Sequence, residues 1–586
     1  NITGRAGGIA GGERYTDIEA LAMARLDSSP TIGDSVEYGA RGTMGWQGHA
    51  IGYSRENGAL VHFDPHVQIA RNKAAGVAVI GASGGGKSTL SLMLFFWMSE
   101  SGVQTVVADP KDDFRKFAYY ISFGNQVNDP EFAETILMRS PSDPDFPYTV
   151  INRDFWEQTE IINLWRGRRG MLDPWLMCGG NFREGATLAR EIMELLLVDK
   201  DELKIVDRAL QKMGAEYDRA VSENRPFRLG LSRLVEYIGQ DIEYYQQIAD
   251  GKFAGDTAQT ITVTDMMAAR QGAQERQDVA DRLTRAAEEV YANLLFGDGS
   301  DLENEEEGGL RALNKRRTII TLKGLNPPRN KPTSQWSTSD RNASAALYTA
   351  LHRISTFFLS GSTAVKPNGP SDAPASSPPR ALIIDEGYIL TRIPAGKDLI
   401  TVALRQGRSY NFVVIFISQQ ASDIAQLQAE TGEQATETST NQFPTVFVFK
   451  QGSMDEARDA LRLLRDSKGV DNPAEANELA MMLTSEGGHL ETGVCVMKDV
   501  DGRVGTVCTD PMFVELWAAS ETNPERRSQH QQGQISPFGR EWTVDSQTRD
   551  ALRTGVVRGV VEAARLDRRQ GRFEMDDWES HVGVAG

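Results

Sequence analysis

The sequence predicts an α/β fold: a core with a parallel central sheet, an all-α insertion and a small β-rich N-terminal lead-in. Three observations support this fold class. A glycine-rich loop with a lysine stands between an apolar strand and an apolar helix, and further short apolar segments flank a long helical stretch. One of these segments ends in two carboxylates. Because open α/β sheets bind ligands at the carboxyl ends of their strands, these features predict one nucleotide site there.

Length and composition are those of a large globular protein. The 586-residue chain corresponds to about three or four structural units. It is 40% hydrophobic and 25% charged, which is enough for a sizeable core. The net charge of −18 gives no overall basic surface of the kind that nucleic-acid-binding domains carry. Three widely spaced cysteines favour free thiols over a disulfide framework, and no segment has the roughly 18–20 apolar residues of a membrane span.

The first half of the chain is predicted to hold three units. Residues 1–70 form the β-rich lead-in, because short alternating segments are separated there by glycines. Residues 71–180 form the first part of the core, and 181–300 form the all-α insertion. Within the insertion, residues 186–198 and 275–295 carry apolar residues at helical spacing.

The phosphate loop is the most informative motif of the chain. Residues 81–89 (GASGGGKST) fit the pattern G-x-x-x-x-G-K-[ST] at every fixed position, between an apolar strand at 76–80 and an apolar helix at 88–98. Backbone N–H groups of such a loop and the following helix N-terminus attract phosphate. We expect Lys87 to reach the β- and γ-phosphates of ATP and Ser88 to ligate Mg²⁺. The candidate nucleotide-binding residues are Gly81, Ser83, Gly84, Gly85, Gly86, Lys87, Ser88 and Thr89.

A second core strand is predicted at 103–109. It ends in Asp109, and an acid at this position either contacts the nucleotide region or caps the following helix. The sequence alone leaves both roles open.

The second part of the core is predicted at 310–520, with a flexible linker rich in proline and serine at 367–379. Residues 524–586 form a tail in which 545–569 carry an apolar stripe and an arginine-rich face. This pattern fits a helix docked on its own core, or one that binds a partner or a membrane surface. The predicted core strands are 317–323, 381–386, 412–418, 444–450, 493–497 and 504–508.

Polar residues at strand ends supply the catalytic candidates. Asp385 is expected to hold Mg²⁺ directly or through water, and Glu386 to act as the general base on the attacking water. Gln419, directly after a strand, is a candidate sensor of the γ-phosphate or of that water. Arg405 and Arg408 precede the same strand. Either could complete the site of a neighbouring subunit, or both could form structural ion pairs.

The order of these motifs resembles that of the TraC-like conjugation ATPases of type IV secretion systems, within the FtsK/HerA group of RecA-fold ATPases. The resemblance spans residues 45–517. It rests on the phosphate loop and on the segments VVADPKDDF, TIITLKGLNPP, LIIDEGYIL and RQGRSYNFVVIFISQQ. Gln419 falls on the Thr-Gln sensor position, but Ser418 replaces the threonine and Gln420 follows, which leaves the identity of the sensor residue open.

The resemblance implies a RecA-like core, Mg²⁺-dependent ATP hydrolysis and a homo-hexamer. It further implies a cytoplasmic, peripheral protein at the inner face of the membrane, with secretion-channel subunits and a coupling protein as partners. Many such proteins carry a longer N-terminal domain, so we expect a truncated or compact form. The alternative is a hexameric DNA translocase of the FtsK/HerA kind. The acidic charge and the lack of a recognisable DNA-binding module favour the secretion energiser, although direct DNA contact stays open.

Overall fold

The computed structural model describes most of the predicted core. The described residues are 32–33, 48–56, 60–139, 141, 143–197, 199–251, 262–300, 313–321, 335–359, 379–391, 394–428, 442–465, 473–484, 490–511 and 514–521. The predicted tail, and all but the last residue of the predicted linker, lie outside this part of the chain.

One large sheet organises the described residues. Its strands are β1 His49–Ser54, β2 Leu60–Phe63, β3 Gly76–Ile80, β4 Gln104–Asp109, β5 Thr159–Asn163, β6 Arg317–Thr321, β7 Arg380–Ile384, β8 Phe412–Ser418, β9 Thr445–Phe449, β10 Val494–Lys498 and β11 Val504–Thr509. Their order across the sheet is β2-β1-β11-β10-β9-β3-β8-β7-β4-β6-β5. The seven strands from β9 to β5 are parallel, which confirms the predicted α/β fold with a parallel central sheet. The other four are antiparallel, so β1 and β2 of the predicted lead-in extend the same sheet.

Helices occupy the connections between the strands. They are α1 Val67–Ala70, α2 Lys87–Glu100, α3 Asp113–Phe123, α4 Phe132–Met138, α5 Arg153–Glu157, α6 Pro174–Met177, α7 Phe182–Leu196, α8 Lys200–Ser222, α9 Leu231–Ala249, α10 Val263–Ala286, α11 Thr338–Leu359, α12 Tyr388–Thr391, α13 Pro394–Gln406, α14 Ala421–Gln428, α15 Met454–Leu464, α16 Pro473–Met482 and α17 Val514–Ser520. No helix of the described residues is long and apolar enough to cross a membrane.

Helices cover both faces of the sheet. The central parallel strands β3, β7 and β8 are buried at every residue, as expected for strands covered on both sides. Alternate side chains pack into two clusters. One contains α2, α3 and α17, and the other contains α11, α13 and the helices that follow β5. This packing fixes the strand ends that carry the candidate site residues.

The helical region between β5 and β6 differs from its prediction at one point. A helix was expected over 275–295, but α10 ends at Ala286. Tyr291 then adopts a φ of 69°, a left-handed conformation that an α-helix does not accommodate. A short 3₁₀ segment, Ala292–Leu294, follows. Apolar periodicity continues past the true end of the helix because the residues after it are also buried.

The three cysteines are free, in agreement with the sequence prediction. Cys495 lies opposite Val507 and Cys508 lies opposite Val494, so the two thiols project from opposite faces of the β10–β11 hairpin.

Candidate functional site

The candidate site lies at the carboxyl edge of three adjacent strands. The phosphate loop follows β3, Gln419 follows β8, and Asp385 and Glu386 follow β7. Since β8 lies between β3 and β7, Gln419 stands between the phosphate loop and the two carboxylates. The strand order therefore brings Ser88 of the phosphate loop close to Asp385, which lies 297 positions later in the sequence.

The phosphate loop requires glycine at its tightest points. Gly81 has a φ of +154°, and a side chain there would place a Cβ 2.6 Å from the Cβ of Phe449. Gly86 has a φ of +115° and would place a Cβ 2.9 Å from the backbone of Gly493. Both positions combine an unfavourable backbone with a close neighbour, so the glycines let the loop pack against the ends of β9 and β10.

Lys87 is buried inside the phosphate loop. Its ammonium donates hydrogen bonds to the carbonyl oxygens of Gly81 and Ala82, the latter at 2.9 Å. Ser88 is half-buried in the first turn of α2, whose residues are almost all buried. The loop thus holds a cation and a hydroxyl at the start of a rigid helix, the arrangement that phosphate and Mg²⁺ require.

Asp385 and Glu386 form a buried acidic pair with a lysine partner. Asp385 is only 6% exposed to solvent, and Glu386 is only 5% exposed. The Lys111 ammonium forms an ion pair with Glu386 and lies 3.9 Å from Asp385 Oδ2. Burial raises the pKa of Asp385 to about 6, although the charge of Lys111 acts in the opposite direction.

Asp109 adds a third carboxylate beside this pair. It accepts hydrogen bonds from the backbone N–H groups of Asp113 at 3.0 Å and Arg115 at 3.1 Å, so it caps the first turn of α3. Burial, together with the charge of Asp385, raises the pKa of Asp109 to about 8. The capping role is therefore observed, and the capping residue also borders the acidic pair.

The two adjacent glutamines have different partners. Gln419 Nε2 donates to Glu386 Oε1 at 2.6 Å. Gln420 Nε2 donates to Glu456 Oε1, in the first turn of α15, at 2.8 Å. Gln419 is therefore the glutamine that contacts the acidic pair, and Gln420 ties the end of β8 to a neighbouring helix.

The structure separates Arg405 and Arg408 from the other candidates of the same chain. Both are exposed, and they lie before β8, at the amino edge of the sheet. Arg408 donates to the carbonyl oxygen of Asn72, ahead of β3, at 3.0 Å. A strand rises roughly 3.3 Å per residue, so the length of β8 puts about 20 Å between this edge and Gln419.

Lys111 is the site residue that the sequence interpretation missed. It occurs in Asp109-Pro110-Lys111, directly after β4, and β4 adjoins β7. Its position after a core strand was the available signal, but its contact with Glu386 depends on the order of the strands.

The arrangement suits a magnesium nucleotide. Among the described residues, no group of three or more His, Cys, Asp or Glu side chains could hold a metal ion. Mg²⁺ at phosphate sites needs few protein ligands, because phosphate oxygens and water complete its shell. Ser88 and Asp385 offer the hydroxyl and carboxylate for this ion, and the cradle of glycines beside Lys87 fits phosphate.

Known proteins are similar to this chain in sequence. The chain is 20% identical over 444 residues to the uncharacterized protein YddE of Bacillus subtilis (strain 168), covering 76% of this chain and 42% of YddE. The chain thus spans less than half the length of this curated relative.

Solved structures that are similar to this chain include VirB4 of Thermoanaerobacter pseudethanolicus, with 15% identity and a TM-score of 0.49 over 79% of this chain and 96% of that protein. Another is the plasmid coupling protein TrwB in complex with ADP and Mg²⁺, with 14% identity and a TM-score of 0.40 over 79% of this chain and 90% of TrwB.

The family model of the AAA-like domain matches residues 60–254 and 240–520, which include every candidate residue of the site. This match agrees with the strand order, the phosphate loop and the acidic pair in identifying a phosphate-loop NTPase. The chain belongs to the AAA-like domain family.

Proposed function

We propose that this chain is a Mg²⁺-dependent ATPase that energises a type IV secretion or conjugation system. The observation that carries the ATPase proposal is the convergence of Lys87, Asp385, Glu386 and Gln419 on one edge of the sheet. The secretion role is supported by the order of the motifs along the sequence.

Each residue of the site has a distinct task in this proposal. The loop N–H groups and Lys87 bind the β- and γ-phosphates of ATP, while Ser88 and Asp385 hold Mg²⁺. When bound, Mg²⁺ neutralises charge on the phosphate oxygens. Glu386 accepts a proton from the attacking water, and Gln419 orients Glu386 and that water.

Lys111 adds a step before proton transfer. An ammonium paired with Glu386 stabilises the carboxylate form and weakens it as a base. We infer that Lys111 moves away from Glu386, or is drawn toward phosphate, before hydrolysis. Gln419 retains its contact with the carboxylate and keeps it in position.

Arg405 and Arg408 act between subunits in this proposal. They lie too far from the site of their own chain, and their exposure leaves them accessible to a neighbour. In a homo-hexamer, an arginine at the amino edge of one sheet can reach the ATP of the adjacent subunit and stabilise the charge of the transition state. The proposed setting is the cytoplasmic face of the membrane, with channel subunits and a coupling protein as partners.

The first test is the steady-state ATPase rate of the purified chain with Mg²⁺, alongside Lys87→Ala and Glu386→Gln. We expect the wild-type protein to hydrolyse ATP and Lys87→Ala to bind nucleotide more weakly. Glu386→Gln should bind ATP without appreciable turnover. Normal turnover by Glu386→Gln would refute its role as the base.

The same assay with single- and double-stranded DNA separates two kinds of motor. Turnover that is indifferent to DNA supports an energiser that acts on protein subunits of a channel. Strong stimulation by DNA would replace this proposal with a DNA translocase.

A further inference from the structure

A short segment from the far end of the chain holds the phosphate loop from outside. The backbone N–H of Gly493 donates to the carbonyl oxygen of Gly85 at 2.8 Å. The hydroxyl of Thr492 donates to the carbonyl oxygen of Gly84 at 3.1 Å. We call Thr492 and Gly493 the loop clasp. It contacts the two consecutive carbonyl groups that precede Lys87 by two and three residues.

Fixing these carbonyl groups also fixes the direction of the N–H groups that bind phosphate. In a planar trans peptide, the C=O of one residue and the N–H of the next point in opposite directions. A bond that turns the Gly84 carbonyl outward therefore turns the Gly85 N–H inward, and the bond to the Gly85 carbonyl does the same for Gly86. The Gly85 N–H donates to the carbonyl oxygen of Ala82 at 3.3 Å, and the buried Lys87 ammonium donates to the same oxygen, so this N–H lies on the inner side of the loop.

The clasp is itself anchored to the sheet. The carbonyl oxygen of Gly493 accepts two hydrogen bonds from Thr509 in β11, from the backbone N–H at 2.8 Å and from the hydroxyl at 2.7 Å. Gly493 has a φ of +86°, which favours glycine at this turn into β10. The loop is thus connected through the clasp to the antiparallel end of the sheet, outside the parallel core.

We propose that Thr492 and Gly493 are positioning residues, which orient the N–H groups of the phosphate loop toward the phosphates of a nucleoside di- or triphosphate. This inference rests on the proposed function, because nucleotide is the ligand that the oriented groups bind. The residues act through the loop and need no contact with the nucleotide.

Thr492 offers a clean test because its side chain is exposed, so its replacement leaves the core intact. Thr492→Val removes the hydroxyl and keeps the shape of the side chain, whereas Thr492→Ser keeps the hydroxyl. The readouts are the Kd for ADP from isothermal titration calorimetry and the kcat and KM for ATP. The melting temperature without nucleotide serves as the control for folding.

One hydrogen bond of ordinary strength corresponds to a change of about fivefold in affinity. We expect Thr492→Val to weaken ADP binding by about this factor and to raise KM more than it lowers kcat, at an unchanged melting temperature. Thr492→Ser should stay within about twofold of the wild type, since it restores the same bond.

The outcomes separate this proposal from the proposed function. Equal ADP affinity of Thr492→Val and the wild type refutes the clasp and leaves the ATPase proposal intact. ADP binding that is weakened by Thr492→Val, in a protein that does not hydrolyse ATP, supports the clasp and refutes the ATPase proposal. A wild-type chain that binds no nucleotide refutes both.

Discussion

Glu386 has an unusual backbone as well as two side-chain partners. Its φ of 50° is left-handed, a conformation that costs a non-glycine residue about 1 kcal/mol or more. The next residue, Gly387, is held by a hydrogen bond from its N–H to the carbonyl oxygen of Ile417 at 2.8 Å. The backbone thus turns away from β7 immediately after Asp385, and this turn brings the Glu386 carboxylate to Gln419 and Lys111.

Lys111 balances the charge of the acidic pair, and its removal has a measurable consequence. In Lys111→Met, Asp385 and Glu386 lose the nearest cation, so their mutual repulsion destabilises the fold and strengthens the attraction for Mg²⁺. We expect a lower melting temperature in EDTA than for the wild type, and a larger increase when Mg²⁺ is added.

Lys111→Arg keeps the charge and serves as the matched control for this experiment. Its melting temperatures with and without Mg²⁺ should follow those of the wild type. If the melting temperatures of Lys111→Met also matched those of the wild type in both conditions, the ion pair would contribute neither to stability nor to the effect of Mg²⁺ at this site.

The two glutamines allow a second comparison at the residue scale. Gln419→Leu removes the bond to Glu386, so we expect kcat for ATP to fall by about tenfold or more, as for other groups that orient the reacting water. Gln420→Leu removes only the bond to Glu456, so kcat should change by no more than about threefold. Similar losses of kcat in both variants would contradict the assignment of Gln419 as the sensor.

Residues in a local motif could be predicted from the sequence, whereas residues that join distant segments could not. The phosphate loop and the Asp385-Glu386 pair are recognisable because their chemistry requires adjacent residues in a fixed pattern. Lys111 and Thr492 belong to no such pattern. Their contacts depend on which strands are neighbours and on loop conformations that the local sequence does not determine.

At the scale of elements, Asp173 joins three segments of the helical region. Its carboxylate accepts backbone hydrogen bonds from Trp175 in α6, Leu231 at the start of α9 and Gly297, at distances of 2.7–3.1 Å. Burial raises the pKa of Asp173 from 3.8 to about 7, against the effect of these N–H donors. A single side chain therefore satisfies three backbone groups and makes the packing of these segments sensitive to pH.

The sign of this sensitivity follows from the raised pKa. The folded protein binds the proton of Asp173 more tightly than the unfolded chain, so this contribution to stability is full below pH 3.8 and is lost as the pH rises through about 7. As the pH rises from 5 to 8, we expect ionisation of Asp173 to lower the free energy of unfolding by roughly 2–3 kcal/mol.

Urea denaturation of Asp173→Asn at the two pH values tests this contribution. The variant should lose that part of the pH dependence, and it should be less stable at pH 5 because the amide is a poorer partner for three N–H donors. Asp199→Asn, at the exposed N-cap of α8, is the control and should keep the wild-type pH dependence. An unchanged slope in Asp173→Asn would show that another group titrates.

The sequence predicted the central strands more accurately than the helix ends, whereas β5, a partly buried strand at the edge of the sheet, was not predicted. The central parallel strands are apolar throughout because helices cover both faces, and a short apolar segment is a strong signal. The end of α10 was missed because buried residues continue beyond it in a different backbone conformation. That β1 and β2 join the main sheet was also missed, since pairing partners hundreds of residues apart leave no local pattern.

For the whole molecule, the two edges of the parallel sheet carry different parts of the proposed catalytic machinery. The carboxyl edge holds the candidate nucleotide site, and the amino edge holds Arg405 and Arg408.

If Arg408 completes the site of a neighbour, Arg408→Ala and Glu386→Gln subunits should each be inactive alone but complement one another when mixed. In a randomly mixed ring, about a quarter of the sites would combine an intact Glu386 with an intact neighbouring Arg408.

The measurement is ATPase activity after equal amounts of the two variants are mixed under conditions that allow subunits to exchange. Lys87→Ala mixed with Glu386→Gln is the matched control. Both of these residues serve the same site, so this mixture should remain inactive. Activity no higher than that of the separate variants, in a mixture that demonstrably forms joint oligomers, would argue against action of Arg408 in the neighbouring site. Arg405→Ala in the same assay then distinguishes the two arginines.

The pairing of β1 with β11 has a consequence for how the protein is made. Gly52 lies opposite Thr509, and Thr492, 408 positions after Gly84, contacts the phosphate loop. A ribosome adds about 5–20 residues per second, so roughly 20–80 s would pass between synthesis of the phosphate loop and synthesis of the clasp. Contacts of such long range also slow folding. If the clasp acts as proposed, the nascent chain would carry an intact phosphate loop well before it gains its full affinity for nucleotide. The proposed ATP hydrolysis would then begin only after the antiparallel strands have joined the sheet.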